Sequence, residues 1–374
     1  MPALFGRGGV RVGRVFGIPI FVHPSWLVIF GLIAWTLATG YFPAQDPDLP
    51  VRSYWARALF ASVLFFASIL LHELGHSLVA RRHGIGIQSI TLFVFGGVAH
   101  MARDPRDGRT ELKIAAAGPA VSFALALLFL GVSRLPLVGG ATSAVTRYLA
   151  LINLGVGVFN LVPAFPLDGG RLLRGLLWRR VGKAGATRMA ARAGTVFAWF
   201  LIVSGVLSLV RGDGISGMWY VLIGWFLKDA SAAAYRDVHL DELLAGVTVG
   251  EAMVRDVVTL PADISLAQAA QEHFLRDGYG GYPVLRGSQV VGLLCLRDVL
   301  RYPMEERETT SVQGAMLPLG PDLVVGPEVP LLKATARMAE AGTGRLLVME
   351  GDRLVGLLTL RAVLRQVQVR EELK

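Results

Sequence analysis

The chain has 374 residues, of which 53% are hydrophobic and 17% charged, with a mean hydropathy of +0.53 and a formal net charge of +9. That balance excludes a purely soluble protein, because too little polar side chain exists to cover so much apolar surface. It does not point to nucleic acid either, since the basic residues are dispersed beside apolar segments without interleaved aromatics. A single cysteine, Cys295, rules out an internal disulfide framework and reads as core filling.

Residues 1–24 read as a cytoplasmic or interfacial segment. Their apolar piece, Val15 to Val22, is too short for a secretory signal, contains Pro19 and lacks a small-residue cleavage pattern. Apolar spans follow near 25–42, 55–80, 112–133, 145–166, 193–210 and 217–230, so the expected fold is a polytopic α-helical membrane domain of about six transmembrane helices over 25–230. Arg7, Arg11 and Arg14 precede the first span. Arg81, Arg82, Arg103, Arg106, Arg109 and Lys113 lie between the second and third, and Arg171, Arg174, Arg179, Arg180, Lys183, Arg188 and Arg192 between the fourth and fifth. The intervening loops hold few basic residues, so both termini are expected to be cytoplasmic in a multi-pass protein of the cell membrane.

The second span ends in His72-Glu73-Leu74-Gly75-His76. Three ionisable side chains at membrane depth are costly and tend to face away from lipid. On a helix the two histidines lie one turn apart on one face, a spacing that suits two imidazoles on one zinc ion with Glu73 beside them as a base. The next segment, Gly84 to Met101, alternates loosely and contains the Gly96-Gly97 pair, so it predicts a short hairpin. Farther on, Pro163 and Pro166 must open the end of the fourth span, and Asp168 with Gly169 and Gly170 can turn a carboxylate back at the depth of the histidines. Asp-Gly-Gly alone is equally an ordinary turn.

Taken together, the histidine motif on an apolar helix, Gly118-Pro119 in the third span and the Asn160 to Gly170 segment resemble the site-2 proteases, which are intramembrane zinc metalloproteases. The resemblance implies one Zn²⁺ per chain held by His72, His76 and Asp168, Glu73 as general base, and Asn160 near the substrate. It also implies that the predicted hairpin, with Phe95, Gly96 and Gly97, is a membrane-associated loop that pairs with an unwound substrate strand. An ordinary cytoplasmic hairpin is the other reading. Where many members place Asn three residues after the Gly-Pro proline, this chain has Ser122, a departure expected to weaken a helix-packing or hydrogen-bonding detail and to leave the metal site untouched. The implied partners are the lipid bilayer and a transmembrane or membrane-associated protein substrate in regulated intramembrane proteolysis.

After a helical linker over 231–245 the chain becomes soluble in character and repeats itself. Val291 to Arg301 matches Val355 to Arg365, and Ala252-Met253 matches Ala315-Met316. Each unit predicts strand, helix, two strands and helix, which resembles a tandem pair of CBS domains with an α/β fold, here 246–306 and 307–374. Such pairs often dimerise and accept ATP or AMP, with an Asp three residues after a Ser or Thr binding the ribose. The first repeat has Cys295 and Asp298, the second Thr359 and Ala362, so each keeps half of that feature. A scaffold or homodimerisation module remains the alternative role for the tail. The rival class for the whole chain is a membrane transporter or channel with a regulatory CBS tail, although no inverted repeat or second buried ionisable set accompanies the spans.

Overall fold

The computed structural model describes residues 9–135 and 140–373. The chain divides into two compact units, Met1–Val238 and His239–Lys374.

The first unit opens with a hairpin, β1 (Val10–Val15) and β2 (Ile18–Val22), in the segment predicted to be merely cytoplasmic or interfacial. Helix α1 (Ser25–Gln45) passes through a π-turn at Leu37–Tyr41, and α2 (Val51–Arg82) carries the histidine motif. The predicted hairpin forms as β3 (Ile87–Phe93) and β4 (Gly96–Met101). Helices α3 (Gly108–Ser133), α4 (Gly140–Asn160), α5 (Asp168–Val210) and α6 (Gly214–Leu244) complete the unit.

The two hairpins join into one sheet of order β1-β2-β3-β4, with β2 parallel to β3 through Ile20↔Ile90, Phe21↔Thr91 and Val22↔Leu92. Ile18, Ile20 and Ile90 pack with Leu74 of α2, so the sheet rests on the turn of helix that carries Glu73. The N-terminal hairpin was not read from the sequence, although Val10-Arg11-Val12 alternates; β1 is exposed along nearly all of its length.

Among the described residues five helices, α1 to α5, are long and apolar enough to cross a membrane. The sixth predicted span, 217–230, is instead the first part of α6, which continues through the polar stretch predicted as a linker. The basic region expected as a connection between the fourth and fifth spans is also helical. It forms the start of α5, which breaks at Gly182, where φ is +73°.

Helix α3 is the hub and packs against α2, α4 and α5. Lipid offers little hydrophobic drive for helix pairing, so close packing of small residues must supply it. A Cβ on Gly75 of α2 would lie 3.0 Å from the Ala117 carbonyl of α3, and one on Gly108 of α3 would overlap the Gly175 carbonyl of α5.

The second unit contains the predicted repeats. Strands β5 (Leu260–Pro261), β6 (Gly281–Arg286), β7 (Gln289–Cys295) and β8 (Leu317–Pro318) form one sheet, and β9 (Val324–Val325), β10 (Arg345–Glu350) and β11 (Arg353–Thr359) form the other. Each repeat has an antiparallel hairpin with a short parallel strand beside it, and the registers Tyr282↔Leu294 and Leu346↔Leu358 correspond. Helices α7 (Leu331–Ala341) and α8 (Leu360–Glu372) cover the second sheet, burying Leu331, Met338, Leu346, Leu358 and Val363 in one core. Cys295 is buried, and that burial pushes its thiol pKa up, as suits core filling.

The α3–α5 contact yields a first prediction. Gly108→Val should force these helices apart and cost about 1–3 kcal/mol, the usual range for overpacking. Thermal unfolding in detergent measures it, and an unchanged midpoint would contradict the role given to this approach.

Candidate metal centre

Regular i to i+4 spacing on α2 brings His72 and His76 to one face, where both are buried. Helix α4 stops at Asn160, the proline-containing segment crosses over, and Asp168 starts α5. Its carboxylate therefore sits in the first turn of a helix, where the dipole favours an anion. Gly169 and Gly170 do not act as a flexible turn here: both are buried within α5, and a Cβ on either would run into backbone of residues 161–165. They are small because the preceding segment lies directly on the helix.

Three atoms converge. Asp168 Oδ2 is 3.1 Å from His72 Nε2 and 3.0 Å from His76 Nε2, and the two Nε2 atoms are 3.2 Å apart. These are the only such cluster of His, Cys, Asp and Glu among the described residues. His76 Nδ1–H donates to the Ile114 carbonyl at 2.7 Å, which leaves Nε2 as a bare lone pair. His72 Nδ1 is hydrogen-bonded to Ser122 Oγ at 2.8 Å. Lone pairs and a carboxylate oxygen this close repel unless a cation lies among them. Ligand atoms on a tetrahedral zinc ion with bonds of about 2.0–2.2 Å are roughly 3.3–3.6 Å apart, so the triangle needs only slight opening to fit. Gly118 completes the fit, because a Cβ there would collide with both Nε2 atoms and fill the space the cation needs.

Ser122 corrects the expectation that this position would leave the metal site untouched. It is 1% exposed and holds the imidazole of His72 in orientation. Gly118 and Ser122 stand one helical turn apart on α3, so the Gly-Pro motif supplies both the room for the ion and the partner of one candidate ligand.

Beside the triangle, Glu73 lies against β4. A Cβ on Gly97 would overlap its Cγ, and the Ala99 N–H is directed at its carboxylate. Glu73, the three candidate ligands, Asn160, Phe95, Gly96 and Gly97 all line one cavity of about 600 Å³. Asn160 Nδ2 donates to the Val156 carbonyl, and Phe95 stacks on Phe226 of α6 at 4.0 Å between ring centroids. Thus the membrane-unit residues expected from the sequence are brought together. Sequence reasoning missed Gly118 as a space requirement, and it missed Glu111, which is wholly buried on α3 and bound by Arg171 and Arg174. The signal was present as a carboxylate in an apolar span with two arginines one turn apart elsewhere.

In the tail, Asp298 is buried. Its Oδ2 accepts the Cys295 N–H, while Oδ1 has no hydrogen-bond partner and lies 3.8 and 3.6 Å from Arg297 and Arg301. Thr359 Oγ1 accepts the Ala362 N–H and caps α8.

The model of peptidase family M50 matches residues 60–139 and 137–203, and that of the CBS domain matches 249–305 and 317–369. A Mycobacterium tuberculosis protein named as the zinc metalloprotease Rip3 is 38% identical over 370 residues, covering 97% of this chain and 94% of its own length. The zinc metalloprotease MJ0392 of Methanocaldococcus jannaschii is 30% identical over 371 residues, covering 98% of each. Among solved structures, a site-2 protease from Methanocaldococcus jannaschii is 32% identical, covers 61% of this chain and 95% of that one, and has a TM-score of 0.46. The transporter or channel reading is thereby set aside. The chain belongs to peptidase family M50, as a multi-pass membrane zinc metalloprotease of the site-2 type carrying a tandem pair of CBS domains.

Proposed function

We propose that this protein is an intramembrane endopeptidase that hydrolyses a peptide bond in or near a transmembrane segment of a substrate protein, in regulated intramembrane proteolysis. The observation that carries the reading is the triangle of His72 Nε2, His76 Nε2 and Asp168 Oδ2 on the wall of the cavity that Glu73 also lines. These three residues would hold zinc. When bound, zinc supplies a Lewis acid that polarises a carbonyl and lowers the pKa of water toward neutrality. Glu73 takes the proton of the attacking water and returns it to the leaving nitrogen. Asn160 and the Phe95–Gly97 tip position the substrate segment.

β4 is the last strand of its sheet, and its tip borders the cavity. A peptide strand added there gains main-chain hydrogen bonds as its own helix unwinds, which exposes carbonyls that a helix would keep occupied. The basic bias of the segments supports cytoplasmic termini in a cell-membrane protein, which would admit water to the site from that side. In the tail, Asp298 offers a carboxylate to ribose hydroxyls beside Arg297 and Arg301, so we assign ATP or AMP to the first repeat. Thr359 is the weaker contact in the second repeat, being engaged as a cap. Homodimerisation through the CBS pair is part of the same proposal.

Three outcomes are expected. In purified full-length protein, wild type should hold zinc near one per chain and cleave a membrane-segment substrate. Glu73→Gln should keep the metal and lose cleavage, while Asp168→Ala should lose the metal. Ser122→Ala should weaken metal affinity about 10-fold through the freed His72 imidazole. A wild type without zinc would sink the assignment. Next, Phe95→Pro should cut processing with zinc retained, and unchanged processing would reject strand pairing. Finally, calorimetry of the full chain should show saturable heat with ATP or AMP that Asp298→Ala removes, and no heat with either nucleotide would refute the nucleotide site.

A further inference from the structure

Glu111, Arg171 and Arg174 form a buried ionic cluster between α3 and α5. Glu111 is 0% exposed, and its Oε1 accepts from Arg171 Nε at 2.9 Å and from Arg174 Nη2 at 2.6 Å. Packing one carboxylate needs one cation. Here two are brought to it, in a domain where each buried charge is expensive, so the second requires another reason.

The two arginines differ in what they face. Arg174 does not line the catalytic cavity, and its guanidinium lies over the Phe165 ring at 5.2 Å. Arg171 does line it, together with Glu73 and Asp168, one turn after the latter on α5. A guanidinium has five N–H donors. Arg171 spends one, Nε, on Glu111, and its Nη groups have no acceptor among the described residues although they are not sealed in the interior. They are donors held in place, without a protein partner, at the wall where a peptide bond would be cut.

We infer that Arg171 is a further catalytic residue, whose Nη groups, with the guanidinium fixed by Glu111, donate to the carbonyl oxygen of the scissile peptide bond. That oxygen gains negative charge as water adds to the carbonyl carbon, and it gives the charge up again when the C–N bond breaks. A fixed cationic donor is therefore most useful at the transition state and needs no reorganisation to act. Anchoring through Nε leaves the fork pointing one way, which a lysine at this position could not reproduce. The electrostatic pull of Glu73 and Asp168 on the same guanidinium acts in the same direction, toward the cavity.

The inference rests on the site read above, and the test separates the two. Full-length wild type, Arg171→Gln, Arg171→Lys, Arg174→Gln and Glu73→Gln are compared for zinc content, KM and kcat on a membrane-segment peptide. Arg171→Gln should keep zinc near one per chain and KM within about threefold, with kcat lowered about 10²-fold, the scale for losing one such donor. Added methylguanidinium should restore part of that kcat. Arg174→Gln removes the other half of the Glu111 contact and should keep kcat within about threefold. Equal losses in the Arg171 and Arg174 variants would make the cluster structural and overturn the inference, as would turnover of Arg171→Gln within about threefold of wild type. Should Arg171→Gln fail to fold, Arg171→Lys keeps a cation for Glu111 and decides the matter: kcat down about 10-fold or more at unchanged KM supports the role, and unchanged kcat overturns it. Cleavage that survives Glu73→Gln sinks the reading of the whole site, whereas near-normal turnover of Arg171→Gln sinks this inference alone.

Discussion

Two imidazole nitrogens and a carboxylate oxygen stand within 3.2 Å of one another in a buried position, and most of the membrane unit can be understood as what holds them there. Unprotonated donors at that spacing repel, so neighbouring helices must press them together until a cation joins them. Helix α2 fixes the two histidines relative to each other. Helix α3 then supplies the Ile114 carbonyl and the Ser122 hydroxyl that hold their Nδ1 atoms, and leaves open space at Gly118. Helix α5 brings the carboxylate, at its own N-terminus. Three helices thus each contribute one kind of constraint, and α3 contributes without providing a ligand.

Much of the candidate site was legible in the chain because its chemistry demands unusual residues in unusual places. Histidines in an apolar run and a carboxylate after a proline break are rare unless used. The hairpin at β3–β4 was legible from alternation and its glycine pair. What stayed hidden depends on contacts between distant segments. Ser122 reads as an unremarkable small residue until His72 is found beside it, 50 positions away. Gly169 and Gly170 read as flexible, yet their role is to let the proline-containing segment lie against α5. The β1–β2 hairpin alternates only briefly along its exposed strand, over Val10-Arg11-Val12, and is fixed by a parallel pairing with β3 that no local rule anticipates. The sixth apolar stretch differs from the other five in a physical way: its helix, α6, has ample length while its second half is polar.

The sheet and Arg171 of the ionic cluster both reach the wall of the same cavity. Peptide hydrolysis in an apolar setting needs a substrate backbone that is extended and a place for developing charge. β4 offers an edge for the first, since it is an end strand of its sheet and its tip lines the cavity. Glu73, wedged against Gly97, stands where that edge meets the candidate ligands, so the base and the strand that would align the substrate are registered to each other by direct contact. Arg171 brings positive charge to the wall that Glu73 and Asp168 also line, and the buried Glu111 holds its Nε at 2.9 Å. In low dielectric such balances are strong, and a misplaced charge would be correspondingly harmful.

The tail shows how two copies of one design diverge through single side chains. In both repeats a residue caps a helix and the third residue after it faces back toward the cap. In the first, Asp298 closes this arrangement from the helix side by accepting the Cys295 N–H, which leaves Oδ1 buried without a hydrogen bond beside two arginines. In the second, Thr359 closes it from the cap side by accepting the Ala362 N–H, and no carboxylate remains. Both solutions satisfy the helix end equally well. Only the first keeps a buried carboxylate, and its Oδ1 is offset by the Arg297 and Arg301 guanidinium groups at 3.8 and 3.6 Å. The repeats therefore share a scaffold and differ in charge at this helix end, where the first holds a buried carboxylate and the second an alanine.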